Sequence, residues 1–244
     1  MRRIVVLLLA VGAVACGGGP PPTPPPPETE LVRARELVRR GNFPDALPVF
    51  QRVSFELSPA QPEYAEVRYW IGECYYQVGD YAQAAAEFRR AADGSPESEW
   101  APLSLLRAGD ANLKQWRRPE LDPSFGEAAL AIYQELAGRY PATDAAGRAV
   151  LHVRELQAQF AEKLYKTGQF YLKRRAYDSA ILYFKEVIAN YPESPRAQDA
   201  LLRLVDAYRR IGYHDERLET CEHLRRFYPK AQGLDERCPP AATP

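Results

Sequence analysis

Histidine is scarce in this chain. Its three copies, His152, His214 and His223, lie apart, and none stands in the cysteine–carboxylate company, at ligand spacing, that metal centres use. There is no Gly-x-Ser-x-Gly elbow and no phosphate-cradling glycine loop, since the glycines at 17–19 open no helix. Acidic pairs such as Glu97 and Glu99 read as solvated helix starts. No catalytic residue, metal or cofactor is therefore expected, and the chain reads as a non-enzyme. A basic excess is missing too: 32 Lys and Arg face 32 Asp and Glu. Without Arg2 and Arg3 the balance is 30 against 32, a net of −2, which withholds the electrostatic footprint of a nucleic-acid binder. Local basic runs, Lys173-Arg174-Arg175 and Arg225-Arg226, read as solvated helix faces. The apolar run at 4–14 is too short to span a bilayer.

Proline, in contrast, is plentiful, with 22 copies. Seven of them crowd residues 17–28 among Gly and Thr, which predicts an extended polyproline II tether. At ~3.1 Å per residue it holds the body of the chain roughly 30–40 Å from the tether's attachment point. Ahead of it, Arg2-Arg3, the apolar run and Gly12-Ala13-Val14-Ala15-Cys16 resemble a bacterial lipoprotein signal, departing from it at Ala13, where Leu is commoner. The resemblance implies a signal peptide at 1–15, a diacylglycerol on the Cys16 thiol, and a lipidated tether at 16–28. Such a covalent lipid is the only non-protein group expected. With two or more acyl chains, at ~0.8 kcal/mol per buried CH2, it makes membrane attachment durable. Gly17 after the Cys, rather than Asp, points to the outer membrane.

The body of the chain repeats itself. Gly72, Tyr75, Gly79-Asp80-Tyr81, Ala84, Phe88 and Pro96 return at identical offsets as Gly168, Tyr171, Tyr177, Ala180, Phe184 and Pro192. This is the grammar of tetratricopeptide (TPR) repeats: a small residue and a ring on one helix, a tight turn, Ala-x3-Phe on a second helix, then a closing Pro. Small residues let the two helices approach, the rings fill the space beside the crossing, and Pro ends the second helix. One hairpin cannot bury its own apolar face, so copies must stack. The expected fold is all-α, an α-solenoid of about five TPR-like hairpins over 29–230, with a loose tail at 231–244. The first hairpin pairs 29–40 with 44–57, and the second, at 63–92, is the most regular. The third begins near Glu99 and carries a lengthened loop at 117–126. In the fourth, unbroken helical spacing predicts one long helix from near Asp144 to Arg174. The fifth covers 194–228. The closing residues Pro59, Pro96, Pro141, Pro192 and Pro229 are spaced 37, 45, 51 and 37 residues apart, so the middle is stretched.

That stretch, the leader and the run Phe170-Tyr171-Leu172-Lys173-Arg174-Arg175-Ala176-Tyr177, continuing to Asn190-Tyr191-Pro192-Glu193-Ser194-Pro195, resemble the BamD family. These are the outer-membrane assembly lipoproteins of the Bam complex. Phe160-Ala161-Glu162-Lys163 and the third loop around Glu120-Leu121-Asp122 share the likeness. It implies a scaffold on the periplasmic face of the outer membrane. Its partners would be a BamA-type barrel insertase, other Bam lipoproteins and unfolded outer-membrane proteins whose C-terminal signals end in an aromatic residue. The register of the second hairpin then offers Glu66, Tyr69, Glu73 and Tyr76 as concave positions, with Arg35 and Arg39 from the first, for an apolar tail and its carboxylate. Arg209, Arg210 and Tyr213 are candidates for the insertase contact. A secretin pilot or a peptidoglycan-linked adaptor is the alternative, and a solenoid enzyme a third class. Cys74 and Cys221 fall at core positions, and Cys221–Cys238 is a possible clip in an oxidising compartment.

Overall fold

The residues that let the hairpins close are those without a side chain where a ring must pass. In the computed structural model, which describes residues 26–117 and 122–238, a Cβ added at Gly72 would stand 2.8 Å from the Phe88 ring, and one at Gly168 would stand 2.6 Å from Phe184. Neither position has room for alanine unless a fully buried ring moves. Phe50, Phe88, Tyr133 and Phe184 take the ring slot in the first four hairpins, Cys221 takes it in the fifth, and all five are fully buried.

Eleven helices are present among the described residues. They are α1 (Pro27–Arg39), α2 (Phe43–Glu56), α3 (Glu63–Gln77), α4 (Tyr81–Gly94), α5 (Trp100–Gln115), α6 (Ser124–Arg139), α7 (Asp144–Lys173), α8 (Tyr177–Asn190), α9 (Pro195–Ile211), α10 (His214–Phe227) and α11 (Leu234–Arg237). Consecutive pairs from α1 to α10 form five hairpins, an all-α solenoid of TPR-like units. Each helix packs on its neighbours in sequence; beyond that, α3 touches α5, α5 touches α7, α7 touches α9 and α9 touches α11, while no even-numbered helix touches the next even one. A stack whose odd helices meet and whose even helices splay must curve, so the odd helices line the concave side.

Helix α7 has 30 residues, about 45 Å of rod. Its first half packs Ala149, Leu156 and Phe160 against α5 and α6, and its second half packs Ala161 and Tyr165 against α8 and α9. One rigid element thus joins two core clusters. The delayed third turn is held by Trp116, whose Nε1–H donates to the Asp122 carbonyl at 2.8 Å and whose indole lies over Gly126. Residues 118–121 of that loop, the signal, Cys16 and the tether up to residue 25 lie outside the described residues; Pro27 and Glu28, expected as the end of the tether, instead open α1, where a proline in the first turn costs no hydrogen bond.

Two further features depart from expectation. The tail is not loose up to Cys238: Ala231, Leu234 and Cys238 are buried against α9 and α10, and Cys238 is bonded to Cys221. The turns differ as well. Gly41, Gly79 and Gly212 carry left-handed backbone, but at the α7–α8 turn that conformation belongs to Arg175, with φ +61°. For a residue with a Cβ it costs roughly 1–2 kcal/mol.

Candidate functional site

The concave face is built from the inward sides of α1, α3, α5, α7 and α9. Arg35 of α1 grips Glu66 of α3 with two bonds, Nε to Oε1 at 2.7 Å and Nη2 to Oε2 at 2.5 Å. The hydrogen bond and charge of Glu66 hold the Arg35 guanidinium above its ordinary pKa. Arg39, one turn on, does not join this group; it pairs with Glu36 of its own helix in solvent. Tyr69 lies against Trp100 of α5, with ring centroids 5.0 Å apart, and against Trp70 and Phe88. Burial raises its phenol pKa. Next to these rings, a cavity of about 630 Å3 is walled by Arg35, Pro62, Glu63, Glu66, Pro96 and Trp100.

Glu73 and Tyr76 meet a residue that sequence reasoning missed. Arg107 of α5 reaches back and donates Nε to Glu73 Oε2 and Nη2 to Glu73 Oε1, both at 2.9 Å. Its Nη1 donates to Asp110 at 2.9 Å, and its guanidinium carbon lies 3.9 Å from the centre of the Tyr76 ring. Burial works against this charge, yet the hydrogen bonds and charges of Glu73 and Asp110 more than offset it, so the Arg107 pKa is raised. Asp110 also accepts from the Tyr133 hydroxyl at 2.7 Å; burial first, then that carboxylate, push the phenol pKa up. Beside Glu73, burial pushes the free Cys74 thiol up to about 12, so it stays protonated and inert.

The same device recurs farther along. Glu162 of α7 accepts from Arg196 of α9, Arg196 also donates to Asp199, and its guanidinium lies 5.0 Å from the centre of the Tyr165 ring. Both copies read Glu-x2-Tyr, then Arg-x2-Asp with the Arg 34 residues after the Glu. This duplicated spacing is the sequence signal that finds Arg107 and Asp110. Each copy ties one hairpin's first helix to the next hairpin's first helix with a planar, two-pronged cation over an aromatic face.

At the far end, Arg209 and Arg210 are exposed on the last turn of α9, and Tyr213 is 47% exposed in the turn after it. Tyr213 stacks on Tyr208 at 6.3 Å, and Arg209 lies 3.8 Å from Asp206. The structure thus brings Glu66, Tyr69, Glu73 and Tyr76 to one face with Arg35, leaves Arg39 outside it, and collects the other three residues at the last turn. Among the described residues no cluster of His, Cys, Asp and Glu fits a metal ion, and no helix is long and apolar enough to cross a membrane.

Known proteins share this sequence pattern. Residues 28–224 match the YfiO family, described as an outer membrane lipoprotein. The outer membrane protein assembly factor BamD of Caulobacter vibrioides is 29% identical over 184 residues, 72% of this chain and 58% of that protein. The factor of the same name from Vibrio cholerae is 28% identical over 165 residues, 64% of this chain and 68% of its own length. This chain therefore spans a little under three fifths of the Caulobacter relative. Among solved structures, a thermophilic TPR protein of Thermus thermophilus aligns with 87% of this chain and 96% of its own at 20% identity, with a TM-score of 0.40.

Proposed function

Because the chain belongs to the YfiO family of outer membrane lipoproteins, we propose that it is a non-catalytic scaffold of outer-membrane β-barrel assembly. The family match carries this reading, since it runs from α1 into α10 and so takes in all five hairpins. In this role the protein is held at the periplasmic face of the outer membrane by lipid on Cys16. It binds a BamA-type barrel insertase, in company with other Bam lipoproteins, through Arg209, Arg210 and Tyr213. Unfolded outer-membrane proteins are received at the concave face of the first hairpins. A detergent pull-down from the native membrane tests the assignment. Recovery of a barrel insertase supports it, and recovery of a secretin instead rejects it in favour of a pilot or adaptor. If Cys16→Ala still fractionates with the outer membrane, the anchor is wrong.

The client contact of this proposal is aromatic before it is ionic. Arg35 is already occupied by Glu66 and has Glu63 nearby, so an incoming carboxylate must compete with acids in place. The half-buried rings of Tyr69, Trp70 and Trp100 are the surface that accepts an aromatic end, at about 0.5–1.5 kcal/mol per ring pair. Tyr69→Ala is expected to weaken an aromatic-terminated peptide roughly 3- to 10-fold by fluorescence anisotropy. Equal affinity in the folded variant removes the site.

A further inference from the structure

The α7–α8 turn departs from a rule that its siblings keep, and its hydrogen bonds do not explain why. Arg175 N–H donates to the Leu172 carbonyl and Ala176 N–H to Tyr171, as Gly79 N–H does to Tyr76 and Asp80 N–H to Tyr75. The turn has the shape that glycine makes freely in the other three, yet Arg175 holds it with φ +61°. A strained backbone position kept by a long charged side chain points to a use for that side chain. Lys173, Arg209 and Arg210 need no such account, because cations suit the carbonyl ends of α7 and α9. Arg175 lies past the end of α7, in the turn.

Its side chain lines a groove of about 650 Å3 between the end of α7, the end of α9 and α11, together with Lys173, Arg209, Arg210, Arg237 and Tyr177. The one carboxylate in the groove wall, Asp206, is already shared by Arg203 at 3.4 Å, Arg209 at 3.8 Å and Arg237 at 3.2 Å. Lys173, Arg175 and Arg210 make no ion pair among the described residues. Three unspent cations therefore face a groove that Tyr177 and Leu172 also line. They come from separate elements, are exposed, and converge on no single buried point. Such spacing fits carboxylates strung along a chain better than one compact phosphate.

We propose that this groove docks an acidic segment of a protein partner, with two or more carboxylates on Arg175, Arg210 and Lys173 and an apolar side chain on Tyr177. The proposal deepens the partner contact read at Arg209 and Arg210 and rests on it. It is tested on the full-length lipoprotein in detergent with a fluorescein-labelled decapeptide of alternating Glu and Val, read by anisotropy at low and moderate salt. The wild type is expected to bind, more weakly as salt rises. Arg175→Gly is expected to weaken binding roughly 3- to 10-fold while its melting midpoint stays equal or rises, since glycine relieves the turn. Arg210→Glu is expected to weaken it more than about 10-fold, by replacing attraction with repulsion. No binding by the wild type, or equal affinity in Arg175→Gly, overturns the proposal. So does a preference of the groove for vesicles of anionic phospholipid over the peptide that Arg175→Gly abolishes. The pull-down reads separately: peptide binding that depends on Arg175, with no insertase recovered, leaves the groove standing and rejects the assembly role.

Discussion

Replacing Glu73 by Gln tests whether the Glu73–Arg107 pair couples hairpins two and three. The side chains are 11% and 19% exposed, so neither charge can be left to solvent. Removing one member of a buried pair commonly costs 3–5 kcal/mol, because the survivor remains desolvated. Here Arg107 keeps Asp110 at 2.9 Å and the Tyr76 face at 3.9 Å, which offsets roughly half of that cost, leaving about 2 kcal/mol. For a chain of this size that is a fall of about 4–8 °C in melting midpoint. Circular dichroism on heating and in urea reads it. A double-mutant cycle with Arg107→Met isolates the pair, with an expected coupling of about 1–2 kcal/mol. Glu36→Gln is the control, because its partners, Arg39 at the end of the same helix and Arg40 just past it, are exposed. A loss in Glu73→Gln no larger than in that control, or a cycle without coupling, refutes the claim that the pair binds the repeats together.

Three further outcomes rest on the packing and the charges. Gly168→Ala is expected to cost about 1–3 kcal/mol by driving a methyl into the Phe184 ring. Gly147→Ala, on the same helix with nothing within 4 Å, should instead stabilise by about 0.5–1 kcal/mol; equal effects in urea melts would deny the close crossing. Replacing both Cys221 and Cys238 by Ala opens a clip of separation 17. That should cost up to about 3 kcal/mol and free the amides of residues 231–238 to exchange; unchanged exchange there contradicts the role given to the bond. The hydrogen bond from Arg196, aided by Lys166, holds the Glu162 carboxyl below the ordinary carboxylate range. A depressed folded pKa stabilises above the unfolded value of ~4.3 and loses that contribution as pH falls through the folded one. The stability gap between wild type and Glu162→Gln should therefore narrow from pH 6 to pH 3, and a constant gap would rule the linkage out.

What the sequence made legible was whatever obeys a spacing. The Gly, Ala and ring positions fall at fixed offsets because each hairpin has the same crossing, so the five hairpins and the long α7 could be read from residue order. The Cys221–Cys238 bond could be raised but not chosen, since residues 231–238 carry no periodic pattern to show that they fold back on α10. Arg39 escapes such reading for a related reason. It shares a helix face with Arg35, but only Arg35 lies opposite an acid of α3. A side chain's partner there depends on where the next hairpin stops, which offsets within one helix do not contain.

The two ion clusters sit at different places relative to the helix crossings. Gly72 and Gly168, which mark the helix crossings, are 96 residues apart, whereas Glu73 and Glu162, which mark the clamps, are 89 apart. The difference of seven residues is two turns of helix. Along α7 the clamp to the next hairpin thus lies two turns nearer the N-terminus relative to the crossing, at the register that Glu66, six residues before Gly72, holds on α3. In the second hairpin the clamp sits beside its crossing, so Glu73 neighbours Gly72 and the buried Cys74. In the fourth, the crossing at Gly168 is left free of it, and the last turn of α7 runs on to Lys173 and the strained Arg175. The position of the clamp on α7 therefore separates the surface that joins repeats from the end that lines the basic groove. Substitutions at Glu162 or Arg196 should accordingly change stability without changing binding at Arg175, and those at Arg175 should do the reverse.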